Sequence, residues 1–252
     1  MIFDDPLIIE AIKKDAGARY PEEACGVIVA NQYVPCPNIA ANPKETFKID
    51  PALFPLDGSW QAVVHSHPDP NKGLEPSIED MQAQLSTGLP WGLVAVWADA
   101  ISDVMFWGDD IPTPDLIGRP FRSGPTGTDG KGDCYAIIRD FYKLEKNIRL
   151  REFPRDDAWW ATHDKSKQGD MYRENFKSAG FIEISESELQ YGDILLIAIR
   201  SEKPNHAGIY LGNGLMLHHL QHRLSRREPA NPYKKMITHY LRYDVNKALS
   251  DE

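Results

Sequence analysis

Residues 108–127 read GDDIPTPDLIGRPFRSGPTG and carry four prolines and four glycines. Proline removes a backbone donor and locks φ, while glycine opens conformations that end regular structure. Neither a helix nor a central strand tolerates that density, so one core cannot run through the segment. The 252 residues are therefore expected to form two domains, each of ordinary size. The expected division is residues 1–108, a linker at 109–126, and residues 127–252.

Hydrophobic residues make up 42% of the chain and charged ones 26%, enough apolar surface for packed cores rather than disorder. The net charge of -9 argues against a nucleic-acid partner, which would demand a broad cationic surface. Three cysteines, Cys25, Cys36 and Cys134, make a disulfide framework unexpected and fit a reducing compartment. The opening MIFDDPLIIEAIKKDA has acids where a secretory leader needs bases. No stretch approaches the roughly 20 apolar residues of a membrane span, so the chain is expected to be made and kept in a cytosol.

The first half mixes helices and strands. Leu7, Ile8, Ala11 and Ile12 fall at helical spacing within 4–19. Ala24–Ala30, Gln61–Val64, Trp91–Trp97 and Val104–Trp107 read as strands, and Ile78–Leu85 as a helix capped by Ser77. In the second half, Cys134–Ile148 reads as a helix and 150–180 as irregular, with a possible helix at 170–179. Strands are expected at Ile194–Ile199, His206–Leu211 and Leu215–Leu220, the last two joined through Asn213-Gly214, a strong hairpin signal. The fold class is α+β.

Two groups of residues carry chemistry. In VVHSHPDPNKGLEPSIED, residues 63–80, His65 and His67 stand one residue apart, so in extended chain both project to one side. Asp80, on the first turn of the following helix, could return to the same point as a third ligand. Two imidazoles and a carboxylate suit a zinc ion (Zn2+) with a position left open for water. Taken alone, such a pair in a proline-rich loop is more often two solvent-facing imidazoles. In the second half, Cys134 opens a helix, where the helix dipole favours a thiolate, and His206 begins a strand far downstream. The alternative for Cys134 is a small buried apolar residue.

EACG at 23–26, followed by HSHPDPNKGLEPSIED, resembles the JAMM (MPN-type) metalloproteases, whose pattern is an early Glu, then H-x-H-P, then S-x-x-D. The resemblance implies zinc ligands His65, His67 and Asp80, a general base at Glu23 (Glu22 being the neighbouring alternative), and oxyanion stabilisation by Ser77. Twelve residues separate His67 from Asp80. That is about two more than the family's usual spacing, an insertion that a surface loop absorbs cheaply.

GDCYAIIRDFY, LQYGDILLI and NHAGIYLGNGLMLHHL resemble the NlpC-type, papain-related cell-wall peptidases. The resemblance implies Cys134 as nucleophile, His206 as base and His218 as the residue that orients it. Strand alternation sends His218 and His219 to opposite faces. An ideal two-residue turn puts Gly212 opposite Leu215 and leaves His219 on the His206 face, whereas a one-residue bulge switches that place to His218. Family spacing selects His218, with His219 as the alternative. Tyr135-Ala136 stands where many members have Ser-Gly.

The two domains in this order resemble the tail assembly proteins of lambda-like phages. That resemblance implies a tail-tip component made in host cytoplasm, with other tail-tip proteins and the peptide stems of peptidoglycan as partners. It implies two hydrolytic sites, one zinc-dependent and one cysteine-dependent. The competing expectation is a structural assembly module that keeps catalytic-type folds as docking surfaces.

Overall fold

The computed structural model describes residues 1–53, 58–69, 73–156 and 169–248. The expected insertion at 69–76 lies partly outside these residues, as does much of the irregular stretch 150–180. The chain divides into two compact units, residues 1–113 with 127–129, and residues 114–126 with 130–252. The proline-rich stretch is thus shared: 114–126 group with the second unit, and 127–129 return to the first.

The first unit is built on a five-stranded sheet of order β2-β1-β3-β4-β5. Its strands are β1 (Cys25–Val29), β2 (Gln32–Cys36), β3 (Trp60–His67), β4 (Trp91–Ala95) and β5 (Met105–Trp107). Only β3 and β4 pair in parallel, and the helix that connects them is α2 (Ile78–Thr87). Helix α1 (Pro6–Arg19) starts where Asp5 Oδ1 accepts the Leu7 N–H and Pro6 occupies the first turn. It buries Ile8, Ile12 and Ala16, four residues apart on one stripe, and Leu7 faces solvent at 77% exposure instead of joining the core.

Alternation along β3 assigns its side chains. Ala62 and Val64 belong to the apolar cluster of α1, and Val63 belongs to the cluster on the opposite face with Trp91 and Trp107. His65 and His67 follow Val63 at the period of two, so they face into that second layer. They lie inside the strand, not on a loop after it, because β3 runs on to His67. Strand β2 was not expected. Its hairpin turn uses Ala30 and Asn31, both at positive φ (49° and 58°), with no glycine to announce it.

The second unit carries a six-stranded antiparallel sheet of order β10-β9-β8-β7-β11-β6. The strands are β6 (Phe181–Ile184), β7 (Ile194–Ile197), β8 (His206–Gly212), β9 (Leu215–His218), β10 (Arg226–Pro229) and β11 (Ile237–Tyr243). Helix α3 (Cys134–Phe141) buries Ile137, Ile138 and Phe141 against Ile194, Leu196, Ala207 and Ile209. Each such buried side chain is worth about 1.5–3 kcal/mol. The expected helix to Ile148 is shorter as an α-helix: it passes into one π turn, Tyr142–Lys146, and stops at Asn147, which is left-handed at φ 55°. A short helix α4 (Met171–Asn175) is capped by Asp170.

The β8–β9 turn takes positive φ at Asn213 and Gly214. Gly212 pairs with Leu215, but Leu211 bulges, so Tyr210 meets Met216 and Gly208 meets His218. The bulge decides which of the two adjacent histidines shares the His206 face, and it is His218.

Candidate functional sites

In the first unit, His65, His67 and Asp80 are 1%, 2% and 8% exposed. The two Nε2 atoms are 3.3 Å apart. Asp80 Oδ1 is 3.2 Å from His65 Nε2, and Oδ2 is 3.3 Å from His67 Nε2. Bonds of about 2.0–2.1 Å at tetrahedral angles hold donor atoms roughly 3.3–3.4 Å apart, which the two imidazoles match, and one ligand atom from each of the three residues lies within 4.8 Å of the others. His67 Nδ1 lies 3.3 Å from the Gly73 carbonyl. Donation there fixes a tautomer with the Nε2 lone pair pointing inward. Among the described residues His65 Nδ1 is buried with no hydrogen-bond partner, and its ring stacks on Phe47, with centroids 4.6 Å apart.

Asp80 is positioned by a helix start. Ser77 Oγ accepts the Asp80 N–H at 3.0 Å, and Asp80 Oδ2 accepts the Ser77 N–H at 2.8 Å, a closed capping box. Burial works to raise the Asp80 carboxyl. The His65 and His67 rings that face it outweigh burial and hold the carboxyl well below the usual range. The Ser77 cap uses the hydroxyl's lone pair and leaves its proton available to another acceptor.

Glu23 is 3% exposed, whereas Glu22 is exposed. The pairing Cys25↔His65 and the Ser66 N–H to Ala24 carbonyl bond of 2.9 Å carry the contact between β1 and β3 as far as Ala24, the residue after Glu23.

In the second unit, Cys134 is the first residue of α3, after the cap Asp133, whose Oδ1 accepts the Ala136 N–H at 2.8 Å. Cys134, His206 and His219 line a cavity of about 580 Å³ together with Phe121, Arg155 and Tyr172. The Cys134 sulfur is 3.2 Å from the Tyr172 hydroxyl. His206 Nε2 is 2.9 Å from His218 Nδ1. His218 Nε2 in turn is 2.6 Å from Glu228 Oε1. His219 is fully buried and stacks edgewise on Phe121 with centroids 5.3 Å apart.

The thiol departs from expectation. Burial and the charge of Asp133 push Cys134 up to about 11, against smaller opposing effects of Tyr172, the Ala207 N–H and Arg155. The helix start that should favour a thiolate is capped by a carboxylate beside the sulfur. Burial, with His218 and His219 nearby, holds His206 well below the usual imidazole value. Both shifts favour the uncharged forms, thiol and neutral imidazole.

Sequence reasoning missed Tyr172, Arg155 and Glu228. Arg155 makes two bonds to Asp133, of 2.6 and 2.9 Å, and steadies the helix cap. Glu228 sits in HRLSRRE, residues 222–228, which reads as solvated charge. No local pattern marks it, because its role depends on how β10 pairs with β9.

Comparison with known proteins places these sites in context. The model of the NlpC/P60 family matches residues 118–242, and the model of prokaryotic homologs of the JAB domain matches residues 7–108. The chain is 32% identical over 232 residues to "Tail tip assembly protein K" of Escherichia phage N15, covering 89% of each protein. It is 35% identical over 186 residues to "Tail tip assembly protein K" of Escherichia phage lambda, covering 74% of this chain and 82% of that protein. Among solved structures, the NlpC/p60 domain of peptidoglycan hydrolase SagA is 19% identical. It covers 50% of this chain and 89% of its own, with a TM-score of 0.35.

Proposed function

Because the chain belongs to the family of tail tip assembly protein K, with a JAB-type unit before an NlpC/P60 unit, we propose that it is a two-site amide hydrolase of a phage tail tip. The first site is a zinc-dependent (iso)peptidase and the second a cysteine peptidase that cuts peptide stems of peptidoglycan. The observation that carries this reading is convergence: each unit gathers nucleophile-activating groups from separated segments into one buried cluster.

In the first unit, His65, His67 and Asp80 would hold a zinc ion. Bound zinc supplies Lewis acidity and lowers the pKa of a water molecule towards neutrality. Glu23 takes the proton of the attacking water and returns it to the leaving amine. Ser77 donates its hydroxyl proton to the oxyanion while its lone pair keeps the helix cap.

In the second unit, His206 accepts the Cys134 proton as the sulfur attacks the amide carbonyl. An S–C bond forms, the C–N bond breaks, and His206 gives the proton to the departing amine. Water then hydrolyses the thioester with His206 again as base. His218 holds the His206 ring, and Tyr172 donates to the sulfur.

Metal content and a digest of purified peptidoglycan, on wild type, His65→Ala and Cys134→Ala, test both halves. Wild type should hold about one zinc per chain and release stem peptides. His65→Ala should lose the zinc, and Cys134→Ala the cleavage. Zinc-free protein purified without chelators would overturn the first half, and stem-peptide release that persists in Cys134→Ala the second.

A further inference from the structure

The cysteine-peptidase reading leaves one well-built group without a task. The pairs Arg226↔His218 and Glu228↔Met216 set Glu228 diagonally across from His218 on one face of the sheet. Glu228 Oε1 is 2.6 Å from His218 Nε2 and also accepts the Tyr233 hydroxyl at 2.7 Å. Its Oε2 pairs with Arg226 at 2.8 Å. Tyr233 packs its ring edgewise on His218, with centroids 5.3 Å apart. The carboxylate is thus held from three sides.

The direction of every proton in the chain follows from it. A carboxylate only accepts, so the 2.6 Å contact puts a proton on His218 Nε2. Neutral His218 then has a bare Nδ1. The 2.9 Å contact with His206 Nε2 therefore needs a proton on that nitrogen. Neutral His206 is left with a bare Nδ1, the atom available to take the thiol proton. One carboxylate sets two rings in series.

We propose that Glu228 is a positioning residue which fixes the tautomer of His206 through His218, extending Cys134–His206–His218 by a fourth member. The proposal rests on the cysteine-peptidase reading. Glu228 touches neither thiol nor substrate. When His206 gains the thiol proton, the same carboxylate stabilises the positive charge that develops along the relay. In Glu228→Gln the amide can present an N–H to His218, which moves the His218 proton to Nδ1. His206 Nε2 must then accept, its proton moves to Nδ1, and the base is blocked.

The test needs no substrate. Iodoacetamide alkylation of Cys134 at neutral pH is followed by mass spectrometry on the full chain as wild type, His206→Ala, Glu228→Gln, His218→Ala and the double variant His218→Ala with Glu228→Gln. Glu228→Gln should slow alkylation about tenfold or more, the scale of a lost charged hydrogen bond. In the His218→Ala background it should add less than about twofold, since its effect passes through His218. Nitrogen NMR of the wild-type imidazoles, which depends on no variant folding, should find His206 and His218 both protonated at Nε2. Wild-type His218 protonated at Nδ1, an unchanged rate in Glu228→Gln, or an effect that persists without His218 would each overturn the positioning role. If His206→Ala alkylates as fast as wild type, the cysteine-peptidase reading falls as well. If His206→Ala is slow and Glu228→Gln is not, only the positioning role falls.

Discussion

Replacing Arg155 with Met should destabilise the second unit by about 3 kcal/mol. Arg155 is 6% exposed and binds Asp133 through Nε and a terminal nitrogen, and Glu152 through its other terminal nitrogen at 2.6 Å. Removing one partner of a buried ion pair costs about 3–5 kcal/mol, because the other charge is stranded. Glu152 keeps Arg139 at 2.7 Å. Among the described residues Asp133 keeps the backbone N–H groups of Gly124 at 3.1 Å and Ala136 at 2.8 Å. Those two donors place the cost at the low end of the range. Against a total of about 5–15 kcal/mol, it is large and should show as a clear fall in urea midpoint. Asp133→Asn keeps a good helix cap without the charge, so adding it to Arg155→Met should restore about 2 kcal/mol, a coupling expected of contacting residues. The same charge raises the Cys134 thiol, so Arg155→Met should also alkylate more slowly and the double variant faster. A midpoint within about 1 kcal/mol of wild type, or a double variant less stable than Arg155→Met, would refute the stranded-charge argument.

Other expectations are simpler. Ser77→Ala should cost the first unit about 1 kcal/mol for the lost cap, read by thermal unfolding. If Ser77 also serves the oxyanion, metal-dependent turnover drops by a further factor of about 100, and a loss no larger than the cap's would remove that role. His218→Ala should impair thiol alkylation more than His219→Ala, and the reverse order would make His219 the orienting residue. Burial first, then the neighbouring His218 and His219, holds His206 below the usual imidazole value, and burial does so for His218 and His219 against the pull of Glu228 and Asp133 respectively. Below about pH 6.5 the unfolded chain binds protons that these folded groups refuse. The second unit's stability should therefore be complete above that pH and decline as pH falls towards the folded values; a urea midpoint that rises on acidification would contradict this.

The His65, His67 and Asp80 cluster was legible because its spacing is local: an H-x-H on one strand face and a capping serine three residues before an aspartate. Glu23 needed the β1–β3 register, which a sequence motif can suggest but periodicity cannot. In the second unit, the choice between His218 and His219 turned on the bulge at Leu211, and nothing in LGNGL marks a bulge. The thiol's environment was misjudged because a helix start was weighed without its capping carboxylate. Glu228 was hidden because strand pairing, not composition, turns an acid in a basic run into a partner of a buried imidazole.

Residues 127–129 belong to the first unit although 114–126 belong to the second. Thr128 closes the open edge of β5: its N–H donates to the Phe106 carbonyl at 2.8 Å, and its hydroxyl accepts the Phe106 N–H at 3.0 Å. The polypeptide therefore passes between the units three times rather than once. A fragment ending at 113 would leave Phe106 with bare backbone groups on a strand edge, a template for aggregation. A fragment that includes 127–129 must carry 114–126 without the unit they belong to. Recombination between relatives faces the same constraint, since no single crossover point separates the two halves cleanly, and such exchanges should succeed only when they carry 114–129 in one piece with both parents' contacts satisfied.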